Sequence, residues 1–449
     1  MHSSNRSARS APRRHLVFLQ YYFPPMGGGG VQRIVKFLKF ADYDRWDITV
    51  LTVKASFFYT EDHSLPADIP DAARIVRSGS LDPFRLMHVA RGFRPGSAPS
   101  GGGGSESGGW MRRLAMSLFV PDSRLLWYPF AAARLRRLHR DHPIDAVVAS
   151  MPPFTTGLIG RSAARMNIPL ILDFRDAWSD NPYLPRISGI HDALSRRMER
   201  ACLKAASGVI FINPALERQY RRRFAELERM PTTTIRNGFD PDDFRNLPRE
   251  PLRTGAGPFR LGIMGTVYSQ GNRPLPLLAA LREMLAADPG LPERFKLIFL
   301  GKWTPEFDAR LTGEGLDPIV ERLPYQPHDQ ALATASGFDA LCLAIENDRP
   351  GSGEVTPGRI YEYLALRRPV LALCPVESDL ADLVRDHAAG EVVPYGDVAG
   401  TREVVERWMA KRERLAHRYG GADLSAFSRK DQAGAILDFV ERVLARREG

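Results

Sequence analysis

Short apolar runs alternate with longer segments in which apolar residues recur at helical spacing. In the first half, the predicted strands are HLVFLQ (15–20), DITVLTV (47–53), ARIVRS (73–78), DAVVAS (145–150), PLILDF (169–174), GVIFIN (208–213) and TTTIRN (232–237). Helical patterns separate most of them, at 31–41, 124–141, 155–167, 189–206 and 214–228. Such alternation predicts a parallel sheet with helices on both faces.

The rhythm breaks at 237–258, a stretch rich in Pro, Gly and charge, and then restarts. The later predicted strands are FRLGIMG (259–265), KLIFLG (296–301), IVERLP (319–324), FDALCLAI (338–345), PVLALC (369–374) and GEVVPY (390–395). At 449 residues the chain is long enough for two cores. We therefore predict two successive α/β domains with parallel sheets.

The predicted domain plan has five parts, with an insertion in the second. They are a disordered basic tail (1–14), a first domain (15–245) with a disordered Gly/Ser loop (92–109), a linker (246–258), a second domain (259–424) and a C-terminal segment (425–449). The loop cannot bury enough apolar surface to order itself. The helical stretch in the last segment is expected to pack back on the first domain.

The net charge of +10 predicts an anionic partner. Anionic lipid and phosphorylated substrates suit it better than nucleic acid, since the sequence has no long lysine tract, zinc-ligand spacing or RNA-binding aromatic signature. The three cysteines stand apart, which points to a reducing compartment and most simply the cytoplasm. No apolar run is long enough to span a membrane.

The most informative segment is 351–369, GSGEVTPGRIYEYLALRRP. Glu354 lies before a predicted short helix and Glu362 lies inside it. Thr356 is the expected N-cap and Pro357 the expected first helical residue. Because a helix N-terminus with nearby glycines binds anions, a pyrophosphate there with hydroxyls on the two acids would describe a sugar nucleotide.

A glycine loop, PPMGGGGVQR (24–33), follows the first predicted strand and opens a helix. Its glycines let backbone pass close to a ligand, although a flexible turn is the alternative. The loop is not a G-x-G-x-x-G motif, and no acidic residue follows the second strand in the usual position. A dinucleotide-binding oxidoreductase is therefore disfavoured.

Two further segments of the first domain, 150–157 and 172–182, follow apolar strands. Both should reach the carboxyl edge of the sheet, where α/β proteins bind ligands. The second carries Asp173, Arg175 and Asp176 close together. A binding role and a structural salt bridge from Arg175 to a neighbouring aspartate are both open.

In the second domain, Arg273 and Lys302 follow the first two strands and are candidate phosphate partners. Solvated surface charge is the alternative for each. The acidic run DPDD (240–243) resembles a metal-binding motif, but its place beside Pro and Phe in the Pro- and Gly-rich stretch 237–258 disfavours metal binding.

The segment 110–140 mixes Trp, Phe, Leu and Met with arginines at helical spacing. A basic amphipathic surface of this kind can rest on an anionic membrane. The same apolar face can equally belong to the core.

Together these segments resemble family 4 retaining glycosyltransferases of the GT-B fold. The central signature is E-x7-E before an apolar strand, here Glu354 to Glu362. The stretches that resemble the bacterial polysaccharide and lipid-linked glycan branch are FLQYYFPPMGGGGVQRIVKFLKF, VPDSRLLWYPF, SMPPFTTGLIG, DFRDAW and IRNGFDPDDF. The resemblance implies two Rossmann-like domains facing each other across a deep cleft, with the acceptor on the first and the donor on the second.

By this resemblance, Glu354 would face the donor sugar and its leaving phosphate, and Glu362 would bind the ribose hydroxyls. Amides near Thr356, Pro357 and Gly358 would hold the pyrophosphate. The loop of Gly27, Gly28, Gly29 and Gly30 would close on the donor from the other domain. The helix end and basic side chains would offset the diphosphate charge, so no metal or other cofactor is required.

The sequence departs from the family pattern in two places. Many members carry an Arg after the glycine that ends the second domain's first strand, but here Thr266 follows Gly265, so Arg273 or Lys302 must supply the charge. The segment 150–160 lacks a histidine that often approaches the donor sugar in relatives. The catalytic candidates are then Glu354, Arg175 and Asp176.

We therefore predict a cytoplasmic, retaining, metal-independent glycosyltransferase of the hexosyltransferase type. Its donor would be a UDP- or GDP-linked sugar, and its acceptor a glycan or polyprenyl-linked glycan in exopolysaccharide or cell-surface glycan assembly. The basic charge also favours peripheral contact with the inner face of the plasma membrane. A GT-B sugar-nucleotide epimerase and a non-catalytic relative that binds glycans or partners are the alternatives.

Overall fold

The structure is a computed structural model, and it describes most of the chain. The described residues are 13–27, 29–54, 65–81, 119–181, 187–245, 247, 257–268, 270–347, 349–419, 421 and 423–448. The predicted Gly/Ser loop and nearly all of the predicted basic tail lie outside these ranges. Only 247, 257 and 258 of the predicted linker are described, so its limits stay a prediction.

The first sheet contains seven parallel strands in the order β3-β2-β1-β4-β5-β6-β7. They are β1 (Arg14–Leu19), β2 (Trp46–Val53), β3 (Arg74–Ser78), β4 (Ala146–Met151), β5 (Leu170–Phe174), β6 (Gly208–Phe211) and β7 (Thr232–Thr234). Each corresponds to one of the predicted strands. The central strands are buried along their whole length, as continuous apolar runs of a two-sided parallel sheet should be.

The second sheet contains six parallel strands in the order β10-β9-β8-β11-β12-β13. They are β8 (Phe259–Thr266), β9 (Phe295–Lys302), β10 (Val320–Pro324), β11 (Ala340–Ala344), β12 (Val370–Cys374) and β13 (Gly390–Pro394). The chain thus forms two doubly wound α/β domains, which confirms the predicted fold class.

Helices cover both faces of each sheet. Those between strands of the first domain are α1 (Gly29–Phe40), α2 (Tyr128–Asp141), α3 (Thr155–Ala164), α4 (Gly189–Ala205) and α5 (Pro214–Arg223). Those of the second domain are α6 (Leu275–Ala287), α7 (Leu291–Arg294), α8 (Pro305–Gly313), α9 (His328–Ser336), α10 (Arg359–Ala365), α11 (Asp379–Asp386), α12 (Val398–Ala410) and α13 (Leu415–Tyr419). The last helix, α14, spans Arg429–Glu448.

Helix α14 lies against the first sheet although it follows the second domain in the chain. Its buried side chains Phe439, Val440 and Val443 belong to the same core cluster as Leu16 and Phe18 of β1. The contact is close, since a Cβ on Gly208 would lie 2.8 Å from a methyl carbon of Val443. The chain therefore crosses between the domains twice.

The described part of the segment 110–140 belongs to the core. Trp127 is fully buried, and its indole Nε1 donates to the Ser78 hydroxyl at 2.8 Å. Ala131 and Leu135 of α2 are also fully buried in the core of the first domain. For these buried side chains the core alternative is therefore the one that the structure supports. No helix among the described residues is long and apolar enough to cross a bilayer.

In each sheet the strand order reverses direction next to its first strand, between β1 and β4 and between β8 and β11. Ligands of such sheets bind in the crevice at the carboxyl ends of the strands beside this reversal. The carboxyl ends of both sheets point into the space between the domains. The topology therefore predicts a ligand site in the space between the domains.

Candidate functional site

A cleft of about 860 Å³ lies between the two domains. Its first-domain wall includes Gly27 and Gly30 after β1 and residues that follow β5, and its second-domain wall includes the ends of β8 and β9 and the segment before α10. Both carboxyl edges therefore contribute to one cavity, which is large enough for a small organic ligand.

Most of the site residues predicted from sequence meet in this cleft. Those that line it are Gly27, Gly30, Arg175, Asp176, Gly265, Thr266, Lys302, Thr356, Pro357, Gly358 and Glu362. Gly28 lies outside the described residues, and Gly29 is the first residue of α1. Glu354 and Arg273 are not among the residues that line the cleft.

The helix of the E-x7-E segment is shorter than predicted. It begins at Arg359, and its N-cap position is Gly358, which has no side chain to cap it. The prediction of Thr356 as N-cap and Pro357 as first helical residue is therefore wrong. The Thr356 hydroxyl instead accepts a hydrogen bond from the Asn213 amide at 3.0 Å and donates to Asp379. Residues of other elements, and not the local helix, therefore bind the Thr356 hydroxyl.

Glu354 faces a second, smaller cavity of about 40 Å³ beside the main cleft. Its Oε2 is buried and has no hydrogen-bond partner within the described part of the chain. Arg175, Asp176 and Thr356 line both cavities, so the two spaces share a wall. A buried carboxylate oxygen without a partner is costly, and it suits a site that receives a hydroxyl donor from a ligand.

Glu362 lies deep in the cleft between two basic groups. His328 Nε2 lies 3.8 Å from Glu362 Oε1 and 3.3 Å from Asp243 Oδ2. Burial raises the pKa of Glu362, and the charges of His328 and Arg429 act in the opposite direction. Burial also lowers the pKa of Arg429, to about 9. These basic groups favour the ionised carboxylate, which can accept two hydrogen bonds from a vicinal diol.

Arg175 holds the first-domain wall together through three backbone carbonyls. Its guanidinium donates to Gly30 O at 2.9 Å, to Met151 O at 3.2 Å and to Pro152 O. The aspartate salt bridge considered from sequence is made by another arginine, since Asp173 pairs with Arg33 at 3.1 Å. Arg175 therefore fixes the glycine loop against the end of β4.

Asp176 is exposed to the cleft and also lines the smaller cavity. Partial desolvation by the walls of these cavities raises its pKa to about 6, against the opposing charge of Arg175. A carboxylate that gains a proton just below neutral pH is well suited to a cleft where charge develops during a reaction.

The positive charge at the end of β8 comes from Arg359, which is not among the predicted phosphate partners. Arg359 donates from Nη1 to Met264 O at 2.5 Å and from Nη2 to Thr266 O at 3.2 Å. Arg273 instead forms an ion pair with Glu346 at 2.6 Å. Lys302 lines the cleft, with its ammonium 4.8 Å from the centre of the Tyr325 ring. Arg359 and Lys302 thus place positive charge beside the ends of β8 and β9.

Two adjacent glycines let the backbone turn at this wall. Gly265 and Gly301 are partners in the β8–β9 register and have φ of +102° and +141°. A Cβ on Gly301 would lie 2.2 Å from Gly265 O. Only glycine fits this combination of backbone conformation and close approach.

His328, Arg359 and Arg429 were not predicted as site residues, and the sequence neighbours of His328 and Arg429 carry no motif. His328 starts α9, Arg359 starts α10 and Arg429 starts α14, so each enters the cleft from the first turn of a different helix. The one available signal was the position of Arg359 inside the E-x7-E segment.

The acidic run 240–243 is engaged by lysines. Asp240 accepts hydrogen bonds from Lys36 at 2.6 Å and Lys39 at 2.7 Å, and Asp243 also binds Lys36. Among the described residues, no group of three or more His, Cys, Asp or Glu side chains is arranged to hold a metal ion.

Solved structures with this architecture have low sequence identity to the chain. They include sucrose-phosphate synthase from Thermosynechococcus elongatus (TM-score 0.59, 14% identity, 97% of this chain and 98% of that chain). Others are α,α-trehalose 6-phosphate synthase from Burkholderia multivorans (TM-score 0.61, 14% identity, 97% and 100%) and S. aureus MnaA with UDP (TM-score 0.50, 10% identity, 96% and 97%). These similarities define the fold as GT-B.

The sequence comparison is more specific about the first domain. Residues 44–238 match the family model described as glycosyl transferase 4-like domain. A comparison with curated proteins found no match. Residues 44–238 are therefore similar to the glycosyl transferase 4-like domain, and the chain as a whole has the GT-B fold.

Proposed function

We propose that the protein is a retaining, metal-independent glycosyltransferase that transfers a hexosyl group from a nucleotide sugar to a glycan or lipid-linked acceptor. The observation that carries the proposal is the meeting of the glycine loop, the Arg175–Asp176 pair and the E-x7-E segment around one interdomain cleft. These segments are distant in the sequence. Their convergence on one ligand-sized space is what a bisubstrate transferase requires.

In the proposed complex, the nucleotide sugar lies along the second-domain wall. The Glu362 carboxylate accepts hydrogen bonds from the ribose hydroxyls, and the backbone of 356–358 faces the diphosphate. Arg359 and Lys302 offset the charge that develops on the departing diphosphate. Because both cations line the cleft, the protein can supply this charge without a metal ion.

The sugar would lie where the two cavities share a wall. Glu354 and Asp176 both line the smaller cavity, and Asp176 also lines the main cleft. A hydroxyl of the donor sugar would donate a hydrogen bond to Glu354 Oε2, which has no partner among the described residues. The Asp176 carboxylate, ionised above a pKa of about 6, would stabilise positive charge on the sugar ring in the transition state.

Retention of the anomeric configuration requires the acceptor to approach from the face that the leaving group vacates. The acceptor hydroxyl would then enter from the first-domain side and pass its proton to the departing diphosphate. Arg175 would contribute by holding the Gly30 loop in place, as a positioning residue. In this proposal the catalytic residues are Glu354 and Asp176.

A membrane-borne acceptor is supported by the exposed side of α4. Ile190 is 83% exposed and Leu194 is 41% exposed, one turn apart, and Arg197 and Lys204 continue along the same stripe of the helix. Helix α4 follows β5 in the chain, and Arg175 and Asp176 at the carboxyl end of β5 line the cleft. Aliphatic groups next to basic ones match the interface of an anionic bilayer.

The test is sugar transfer by the purified full-length chain. Labelled UDP- and GDP-sugars are incubated with and without a lipid extract that contains polyprenyl-linked glycans, and the label in the lipid is counted. We expect transfer from one donor and loss of transfer in Glu354→Gln and Glu362→Gln. Conversion of the nucleotide sugar without an acceptor would favour the epimerase, and unchanged glycan production in cells with both variants would favour a non-catalytic relative.

A further inference from the structure

Two side chains of the first domain donate hydrogen bonds to the second domain, one to the loop that carries Glu354 and one to Asp379 beside it. Asn213 Nδ2 donates to Glu354 O at 2.7 Å and to Thr356 Oγ1 at 3.0 Å. Arg236 donates from Nη1 and Nη2 to the two carboxylate oxygens of Asp379, at 2.5 and 2.8 Å. These hydrogen bonds join the domains at the shared wall of the two cavities.

The Asn213 amide is oriented by a second hydrogen bond. Asn213 is fully buried and is the N-cap of α5, where its Oδ1 accepts from Leu216 N at 2.7 Å. Because an N–H occupies the oxygen side, the amide nitrogen must point at the loop. The helix cap therefore fixes the direction in which the Asn213 amide nitrogen donates its hydrogen bonds to the other domain.

Asp379 accepts hydrogen bonds from both the loop and the first domain. It is 2% exposed, and the Thr356 hydroxyl donates to the same carboxylate oxygen that receives Arg236 Nη1. On the first-domain side, Arg236 O accepts from Arg33 Nη1 at 3.0 Å, and Arg33 pairs with Asp173. The chain of contacts thus runs from the edge of the first sheet to the loop before α10.

We infer that Asn213 is a positioning residue for the loop 352–358: its amide sets the place of Glu354 and Thr356, so the loop takes this geometry only when the domains are closed. Separation of the domains would break both hydrogen bonds and leave the two loop acceptors without this donor. The consequence for donor binding rests on the proposed function, but the ordering of the loop does not.

Asn213→Ser separates positioning from helix capping. Serine is as good an N-cap as asparagine, but it is too short to reach the loop with a donor. The measurement is amide hydrogen exchange of the full chain without ligand. It follows the amides of Glu354, Val355 and Ile360, which are hydrogen-bonded in this geometry, and the amides of α5 as the local reference.

We expect exchange in 352–360 to rise about tenfold in Asn213→Ser, since two hydrogen bonds are lost, while α5 exchanges as in the wild type. The matched control is Asp397→Ser, which exchanges one N-cap for another at α12, away from the cleft. Unchanged exchange in the loop, or an equal rise in the loop and in α5, would overturn the inference.

The kinetics of the Asn213→Ser variant distinguish this inference from the proposed function. Once a donor is found, Asn213→Ser should raise the donor KM more than it lowers kcat, because the loop must be ordered before the donor binds. If the loop loosens and no nucleotide sugar is ever bound, the positioning role stands and the proposed function fails.

Discussion

Arg273 donates hydrogen bonds from Nε and Nη2 to the two carboxylate oxygens of Glu346, at 2.8 and 2.6 Å. This bidentate pair directs the arginine to the strand end of β11 and away from the cleft wall. Arg359 takes the place beside Gly265 and Thr266, with its guanidinium against the carbonyls that end β8. The positive charge expected at this wall thus comes from α10.

Arg359→Gln should weaken binding of nucleoside diphosphates by at least about tenfold, because a cation facing the diphosphate is lost. The measurement is thermal stabilisation of the purified chain by UDP, GDP and ADP over a range of concentrations. Arg282→Gln, an exposed arginine of α6, is the control. Equal stabilisation of wild type and Arg359→Gln would show that Arg359 does not contact the diphosphate.

Gly301→Ala should lower the free energy of unfolding by about 2 kcal/mol or more, because a Cβ cannot fit at a φ of +141° beside Gly265 O. Urea denaturation measures the change. Gly313→Ala is the matched control, since a Cβ there meets nothing within 4 Å, and it should be neutral or slightly stabilising. Equal effects of the two substitutions would argue against a strained turn at Gly301.

The fold and most of the residues that line the cleft could be predicted from the sequence, but several contacts that position them could not. All thirteen predicted strands are present, and the central ones were clearest because a buried parallel strand is a continuous apolar run. The N-cap at Thr356 failed because Asn213, distant in the sequence, competes for its hydroxyl. Arg359 and His328 were missed for the same reason: their partners are brought to them only by the tertiary fold.

His328→Gln should destabilise the protein at acidic pH and have little effect at alkaline pH. Burial lowers the pKa of His328, but the hydrogen bond to Asp243 and the charge of Glu362 outweigh it, so the pKa is raised. A raised folded-state pKa gives stabilisation that is full below the unfolded value of about 6.5 and is lost as pH rises through the folded value.

The measurement is the free energy of unfolding in urea for wild type and His328→Gln from about pH 5.5 to about pH 9. The two curves should converge as the pH rises. A constant difference across this range would mean that the ring acts through packing alone and that its proton does not link Asp243 to Glu362.

Ile190→Asp with Leu194→Asp should reduce binding of the full chain to vesicles of 70% phosphatidylcholine and 30% phosphatidylglycerol by about tenfold or more. Two exposed aliphatic groups are lost and two negative charges face the bilayer. Cosedimentation at low and high salt measures the partition. Val376→Asp, exposed on the second domain, is the control. If the wild type, the double variant and Val376→Asp all bind the vesicles equally, α4 is not the membrane-binding surface.

The most direct test of the proposed transfer reaction is the stereochemistry and stoichiometry of the product. The wild-type chain is incubated with the UDP- or GDP-sugar that stabilises it and with a polyprenyl-linked glycan extract, and the product is examined by NMR. We predict one nucleoside diphosphate released per sugar transferred, with the donor's anomeric configuration kept, and neither event in Glu354→Gln. Inverted configuration, or consumption of the donor without any glycosylated product, would contradict it.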